Sequence, residues 1–301
     1  MKPNCLIALL LTSAAALAQS SDDTSTRAIV PESVVLARPK PSAAPVQKPA
    51  VRPQYAPVDA SVTQSLRKAA ADSRQVGVTI WKLRPGAPSD LAGTGARILV
   101  QEDSTSTEWV PERLGVEAVL REGDRVRLTV ESPDSGFLYV IDRERYANGL
   151  RGDPYLIFPT TRTRDGDNRV TGGKLIDIPD QGDRPNFFTL RNSRADQSGE
   201  ELTILLTKEP LEGVQIGAKP IALSKEQVAT WEKRWGSGSV QRFELSGGAG
   251  KPWTKAEQEA ASATRLLAQD DPPPQTVYRV VAKESDPVLL KVQLRYSSKG
   301  R

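Results

Sequence analysis

The chain has no histidine and one cysteine, Cys5, in 301 residues. A single thiol allows no disulfide framework. Without histidine there is no Ser-His-Asp or Cys-His arrangement for nucleophilic catalysis, and no zinc site built on Cys and His. Aromatic residues make up only 5% of the chain and hydrophobic residues 38%, while Pro (23) and Gly (22) are plentiful. That balance leaves part of the chain outside any core. Lys and Arg (41) nearly offset Asp and Glu (37), and the two signs are interleaved. No basic stripe marks a nucleic-acid footprint. The stretch SGGAGK at 246–251 lacks Walker spacing because Pro252 follows Lys251, and no dinucleotide fingerprint is present. No cofactor is expected.

What is present begins with a short apolar run, LIALLL at 6–11, preceded by Lys2 and followed by Ala16-Leu17-Ala18. Positive start, brief apolar stretch and small-x-small ending predict a signal peptide over 1–18. The run is too short to span a bilayer comfortably, and no later segment is apolar for long enough, so the mature chain carries no expected transmembrane segment. Cys5 precedes the run and would leave with it. The expected setting is export to the periplasm or the extracellular space. Residues 19–75 are low in large apolar side chains. The stretch PKPSAAPVQKPAVRPQYAP at 39–57 reads as a Pro/Ala-rich disordered tether, extended where prolines are dense. A short helix around Leu66 is expected near its end.

From residue 76 the pattern becomes β-rich. VGVTIWKL (76–83), RILVQ (97–101) and a region around 116–120 come first. Then RVRLTVE alternates Val126, Leu128 and Val130 with polar partners, a half-buried strand. SPDSG supplies turn chemistry at 132–136. FLYVI at 137–141 is apolar on both faces, as a doubly covered central strand would be. Together the two predict a hairpin. PYLIF, KLIDI, FFTL and ELTILLT follow at short spacing. Many short strands with short polar connections predict an antiparallel β-sandwich, immunoglobulin-like or related, over 76–215. At 216–270 the pattern turns helical. Ser224-Lys225-Glu226-Gln227 and Thr254-Lys255-Ala256-Glu257 are capping boxes. The first opens a helix carrying Val228, Trp231 and Trp235; the second opens one carrying Leu266 and Leu267. Strands at 276–282 and 288–296 predict a C-terminal hairpin that returns to the sheet.

The order GDRVRLTVESPDSGFLYVIDRE, PYLIFP, DNRV-x-GGKLIDIP and EELTILLTKEPL resembles the bacterial family called domain of unknown function 4384. The resemblance covers about residues 122–210, with Thr160 where that family often has Asn. It implies a compact β-rich, exported or envelope-associated module. It carries over no catalytic residue.

Three constellations could carry chemistry. Arg162, Arg164 and Arg169 could hold an anion or a partner bidentately. Asp165, Asp167 and Asn168 between them are oxygen ligands that depart from the Ca²⁺-loop pattern, and the same loop reads equally as turn chemistry. Trp231, Trp235 and Trp253 could form an aromatic surface or dock a helix. Asp142, Glu144, Asp153, Asp165 and Asp167 could supply a carboxylate pair for glycoside hydrolysis. Arg151-Gly152-Asp153 matches an adhesion tripeptide and also suits a plain loop. The expectation is an exported, non-catalytic module that binds or scaffolds an envelope protein or polymer. The alternative is a carboxylate-based, glycosidase-like hydrolase.

Overall fold

The computed structural model describes residues 38, 73–87, 90, 96–102, 105–115, 118–245, 248–262, 265–283 and 285–297. The expected signal peptide, nearly all of the expected tether and the expected helix around Leu66 lie outside them. Among the described residues fifteen strands form two sheets. The larger holds β1 (Ser73–Pro85), β2 (Ile98–Glu102), β3 (Thr105–Arg113), β5 (Arg125–Glu131), β9 (Leu175–Ile178), β10 (Phe188–Thr189), β13 (Val240–Glu244) and β14 (Thr276–Val281). The smaller holds β4 (Val119–Leu120), β6 (Gly136–Tyr146), β7 (Arg151–Phe158), β8 (Arg169–Val170), β11 (Gln197–Thr207), β12 (Ile221–Ala222) and β15 (Val288–Tyr296). Pairing is antiparallel except where β15 meets β4. Over the described residues the protein is mainly β, a two-sheet sandwich with two α-helices.

The alternation in RVRLTVE orients β5. Val126, Leu128 and Val130 enter the core between the sheets. The strand after the turn also sends alternate residues, Leu138 and Val140, into that core, but from the opposite side. The expected hairpin is therefore an arch: β5 pairs with β1 and β9, and β6 with β7 and β11. Stacked sheets lie ~10 Å apart, a gap that a connection of a few residues spans. The physical reason is the two-sided apolarity of FLYVI. Its second face, Tyr139 and Ile141, also needs cover, and receives it from a helix.

That helix is α1 (Lys225–Trp235). Ser224 caps it by accepting the backbone N–H of Gln227 at 3.2 Å. Eleven residues are too few for a stable isolated helix. Burial of Val228 and Trp231 against Tyr139, Leu205 and Leu289 holds it, each such side chain contributing roughly 1.5–3 kcal/mol. The second helix, α2 (Lys255–Ser262), has its capping box closed in both directions. The Glu257 N–H donates to Thr254 Oγ1 at 3.2 Å, and the Thr254 N–H to Glu257 Oε2 at 2.7 Å. It ends before the expected Leu266 and Leu267. Leu267 is buried in the following coil, where its N–H donates to the Gly173 carbonyl.

Three further boundaries differ from the sequence reading. β1 begins at Ser73, inside the expected tether, and Arg38, well inside it, is buried at 4% exposure. The region between the helices contains β13, which pairs with β14, so 216–270 is not wholly helical. The last two strands return to the sandwich without pairing with each other. β14 joins β1 in the larger sheet and β15 joins β11 in the smaller. Each has an apolar face, and the two faces meet across the core.

Candidate functional site

Alternation along two neighbouring strands places a cluster of acids inside one end of the sandwich. On β6 the inward series Leu138, Val140 continues as Asp142 and Glu144. On β11 the inward series Leu206, Ile204, Leu202 continues as Glu200. The register sets Glu144 opposite Glu200, and Asp142 opposite Leu202. Side chains so placed lie within ~4.5–5.5 Å at their β-carbons, close enough for like charges to repel. Tyr296, at the end of β15, donates its hydroxyl to Glu200 Oε1 in a short hydrogen bond. Tyr146 donates to Glu144 Oε2 at 2.5 Å. Oδ1 of Asp142 is shielded from solvent and accepts no hydrogen bond.

Burial and crowding raise the proton affinity of this cluster. Asp142 is held well above the ordinary carboxylate range by desolvation, then by the charges of Glu200 and Glu144. Glu200 is pushed up to about 7 by desolvation, against a lowering from the Tyr296 hydroxyl. The Tyr296 phenol is itself raised by burial and by Glu200. Asp142 and Glu200 line a cavity of about 180 Å³ between the sheets, whose walls include Ile80, Val140, Phe188 and Leu202. Convergent polar groups with perturbed protonation, set in an apolar cavity, are the usual marks of a ligand site.

Glycine positions the acid on β11. A β-bulge lies between Gln197 and Gly199, immediately before Glu200. Gly199 has φ of +157°, and a β-carbon there would meet the Leu294 carbonyl oxygen at 2.0 Å. The bulge permits the close approach that brings β11 to β15 and Glu200 to Tyr296. Gly199→Ala is expected to destabilise the protein by about 1–3 kcal/mol and to disturb the Glu200–Tyr296 contact. Urea unfolding together with tyrosine absorbance titration would check both.

The residues singled out in sequence are distributed differently. Asp142 and Glu144 belong to the acid cluster. Asp153 is on the surface, paired with Lys225 at 2.5 Å. Arg151 of the adhesion-like tripeptide pairs with buried Glu201 at 3.3 Å, in a network with Lys291 and Glu232 that pins α1 to the sheet. In the 160–173 loop Arg162 is exposed, Arg164 donates to the Arg169 carbonyl, and Arg169 pairs with Asp167 at 2.9 Å. Asp167 is lowered by that arginine, and Asn168 is buried with its amide on the Leu138 carbonyl. Asp165 is exposed at a left-handed φ of 53°. No three acids among the described residues converge on a metal position.

Trp231 and Trp235 stack at 6.2 Å on the smaller sheet's outer face. Trp253 lies on the outer face of the larger sheet, in a layer with Trp81 and Trp109. Both sheets therefore separate the three tryptophans. Arg127 covers Trp253 at 5.2 Å and Arg113 covers Trp81 at 5.4 Å. Beneath them Trp81 donates to Thr129, and Arg127 and Thr129 converge on buried Asp177. Sequence reasoning missed Glu200. The signal was present as parity: Glu200 shares the face of Leu202, Ile204 and Leu206 in GEELTILL.

No protein-family model, no curated protein and no solved structure matches this chain. No helix among the described residues is long and apolar enough to cross a membrane.

Proposed function

We propose that the protein is an exported, non-catalytic β-sandwich module that binds a small ligand between its sheets. One observation carries this reading: the unpartnered Asp142 oxygen beside Glu200 at an apolar cavity of about 180 Å³. An apolar cavity of ~150 Å³ in another protein holds one benzene-sized guest. The space here therefore suits a single ring or short chain, free or carried on an envelope component. Its polar tip would be an amine or a hydroxyl, which can donate to the carboxyls. The leader-like start, the Pro-rich 39–57 stretch and the resemblance of 122–210 to domain of unknown function 4384 support the exported setting.

The test uses benzylamine, benzyl alcohol and toluene, titrated calorimetrically into the full chain at pH 8. Saturable binding in the order amine, alcohol, toluene is expected. Asp142→Asn should remove the preference for the amine, a loss of about ten-fold in affinity. If none of the three binds, or if toluene binds as well as the amine, the reading is wrong.

A second reading has its own support. Two raised carboxyls lining one cavity also suit a hydrolase in which one acts as acid. Against it, glycoside hydrolysis needs one carboxylate ionised at working pH, and both Asp142 and Glu200 are raised. Turnover of an envelope polymer by the purified protein, lost in both Asp142→Asn and Glu200→Gln, would favour the hydrolase over the binding module.

A further inference from the structure

The two sheets do not end together. The larger runs β1, β14, β13, and the smaller stops at β15, which carries only the two-residue β4 on its outer edge. β4 pairs with Arg295 and Tyr296. Among the described residues, the edge of β15 from Val288 to Leu294 has no strand beside it. β13 projects past that edge. Its residues Val240 and Arg242 pair with Val280 and Tyr278, whose side chains face the core. Val240 is therefore 41% exposed, with no second sheet beneath it. Under the overhang lies a cleft of about 340 Å³, with Val78, Leu114, Tyr278 and Leu294 on its walls.

A row of unpaired backbone donors and acceptors is a template for one more strand. The chemistry of the cleft selects which strand. Its charged lining comprises Arg242, Lys291 and Arg295, all basic. Lys291 is engaged on the outer face by Glu201 and Glu232, so it does not block the edge. Arg242 lines the cleft opposite Tyr278 in register, and its charge and that of Glu244 both act on the Tyr278 hydroxyl. That hydroxyl is pushed up to about 12 by burial and stays a neutral donor. Also on the cleft's lining, the side-chain oxygen of Gln275 is buried and accepts no hydrogen bond among the described residues. Glu244, next on that face of β13, takes the Gln275 amide at 3.1 Å. A strand laid on β15 would gain a backbone ladder, cover Val240, offer an N–H to Gln275 and set a carboxylate against Arg242 and Tyr278.

We propose that the seam between β13 and β15 is a docking site for an extended, acidic peptide segment of a partner protein, which adds to the free edge of β15. The proposal uses none of the acid cavity's carboxyls, although Ile80 and Leu294 line both spaces.

The test pans a phage library of random dodecapeptides on the full chain. Selected sequences should alternate apolar and polar residues and carry Asp or Glu. Hydrogen exchange on the complex should show new protection at 288–294. Arg242→Glu, at an exposed position, should weaken the acidic peptides about ten-fold and select Lys-bearing ones instead. Failure to enrich any sequence, enrichment without acidic bias, or protection outside 288–294 would overturn the proposal. So would protection of that edge, without peptide, that rises as the protein self-associates, because the occupant would then be a second copy.

Discussion

Arg38→Ala is expected to cost about 3–5 kcal/mol of stability, the effect of leaving one half of a buried ion pair without the other. The Arg38 side chain sits in a socket at the end of β5. Its Nε and Nη2 donate to the two carboxylate oxygens of Glu131 at 2.9 and 2.8 Å, a bidentate fork. Nη1 donates to the Asp271 carbonyl at 2.8 Å, and the Arg38 carbonyl accepts from Gln269 Nε2 at 3.2 Å. Glu131 is also buried. Removing Arg38 strands that carboxylate among carbonyl oxygens, which repel it. Arg38→Lys should lose part of the stability, since an ammonium cannot reproduce the fork. Adding Glu131→Gln to Arg38→Ala should recover much of the loss, because the stranded charge is gone. A chain that begins at Ser73 should behave like Arg38→Ala. Urea unfolding midpoints at neutral pH measure all four. A loss under about 1 kcal/mol for Arg38→Ala would mean that the pair acts as an exposed one.

This anchor was not legible in the sequence, and the reason is physical. Arg38 stands in a Pro- and Ala-rich stretch whose composition buries little apolar surface. A single ion pair formed across 93 positions leaves no local pattern. Periodic features fared better. The alternation of β5, the two-sided apolarity of β6 and both capping boxes set strand faces and helix starts, since each arises from neighbours within a few residues. Strand partners are a different matter. The turn at 132–136 suits a hairpin or an arch, and only the competition for core between two sheets decides between them. β3 escaped notice because Pro111 reads as a breaker. In the fold it pairs with Leu83 of β1 beyond the reach of β2, whose pairing stops at Trp109. For the site, Asp142 and Glu144 were visible as carboxylates but indistinguishable from Asp153, Asp165 and Asp167. Register made the distinction, by setting Glu144 against Glu200.

The second large effect is a dependence of stability on pH that Glu200→Gln should flatten. Glu200 moves from an ordinary value of 4.5 to about 7 on folding. The sign follows from proton counting. Below pH 4.5 the group is protonated in both states, and its contribution is fully present. Between 4.5 and about 7 the unfolded chain releases the proton while the folded chain keeps it, so stability falls as pH rises. The gap corresponds to roughly 3 kcal/mol, lost by pH 8. Asp142 is raised for the same reason and acts in the same direction. Glutamine at 200 keeps an acceptor for the Tyr296 hydroxyl and has no proton to lose. The variant should therefore match the parent near pH 4 and exceed it by roughly 3 kcal/mol at pH 8. Taking the difference between variant and parent cancels carboxylates shifted the other way, such as Asp167 and Asp271. Unfolding curves at pH 4.5, 6 and 8 give the comparison, and equal slopes for the two proteins would remove the raised carboxyl. The same linkage ties stability to the proposed ligand. An amine seated against Asp142 and Glu200 would stabilise their ionised forms, so saturating benzylamine should reduce the pH slope of the parent, and to a smaller extent that of Glu200→Gln, which keeps Asp142.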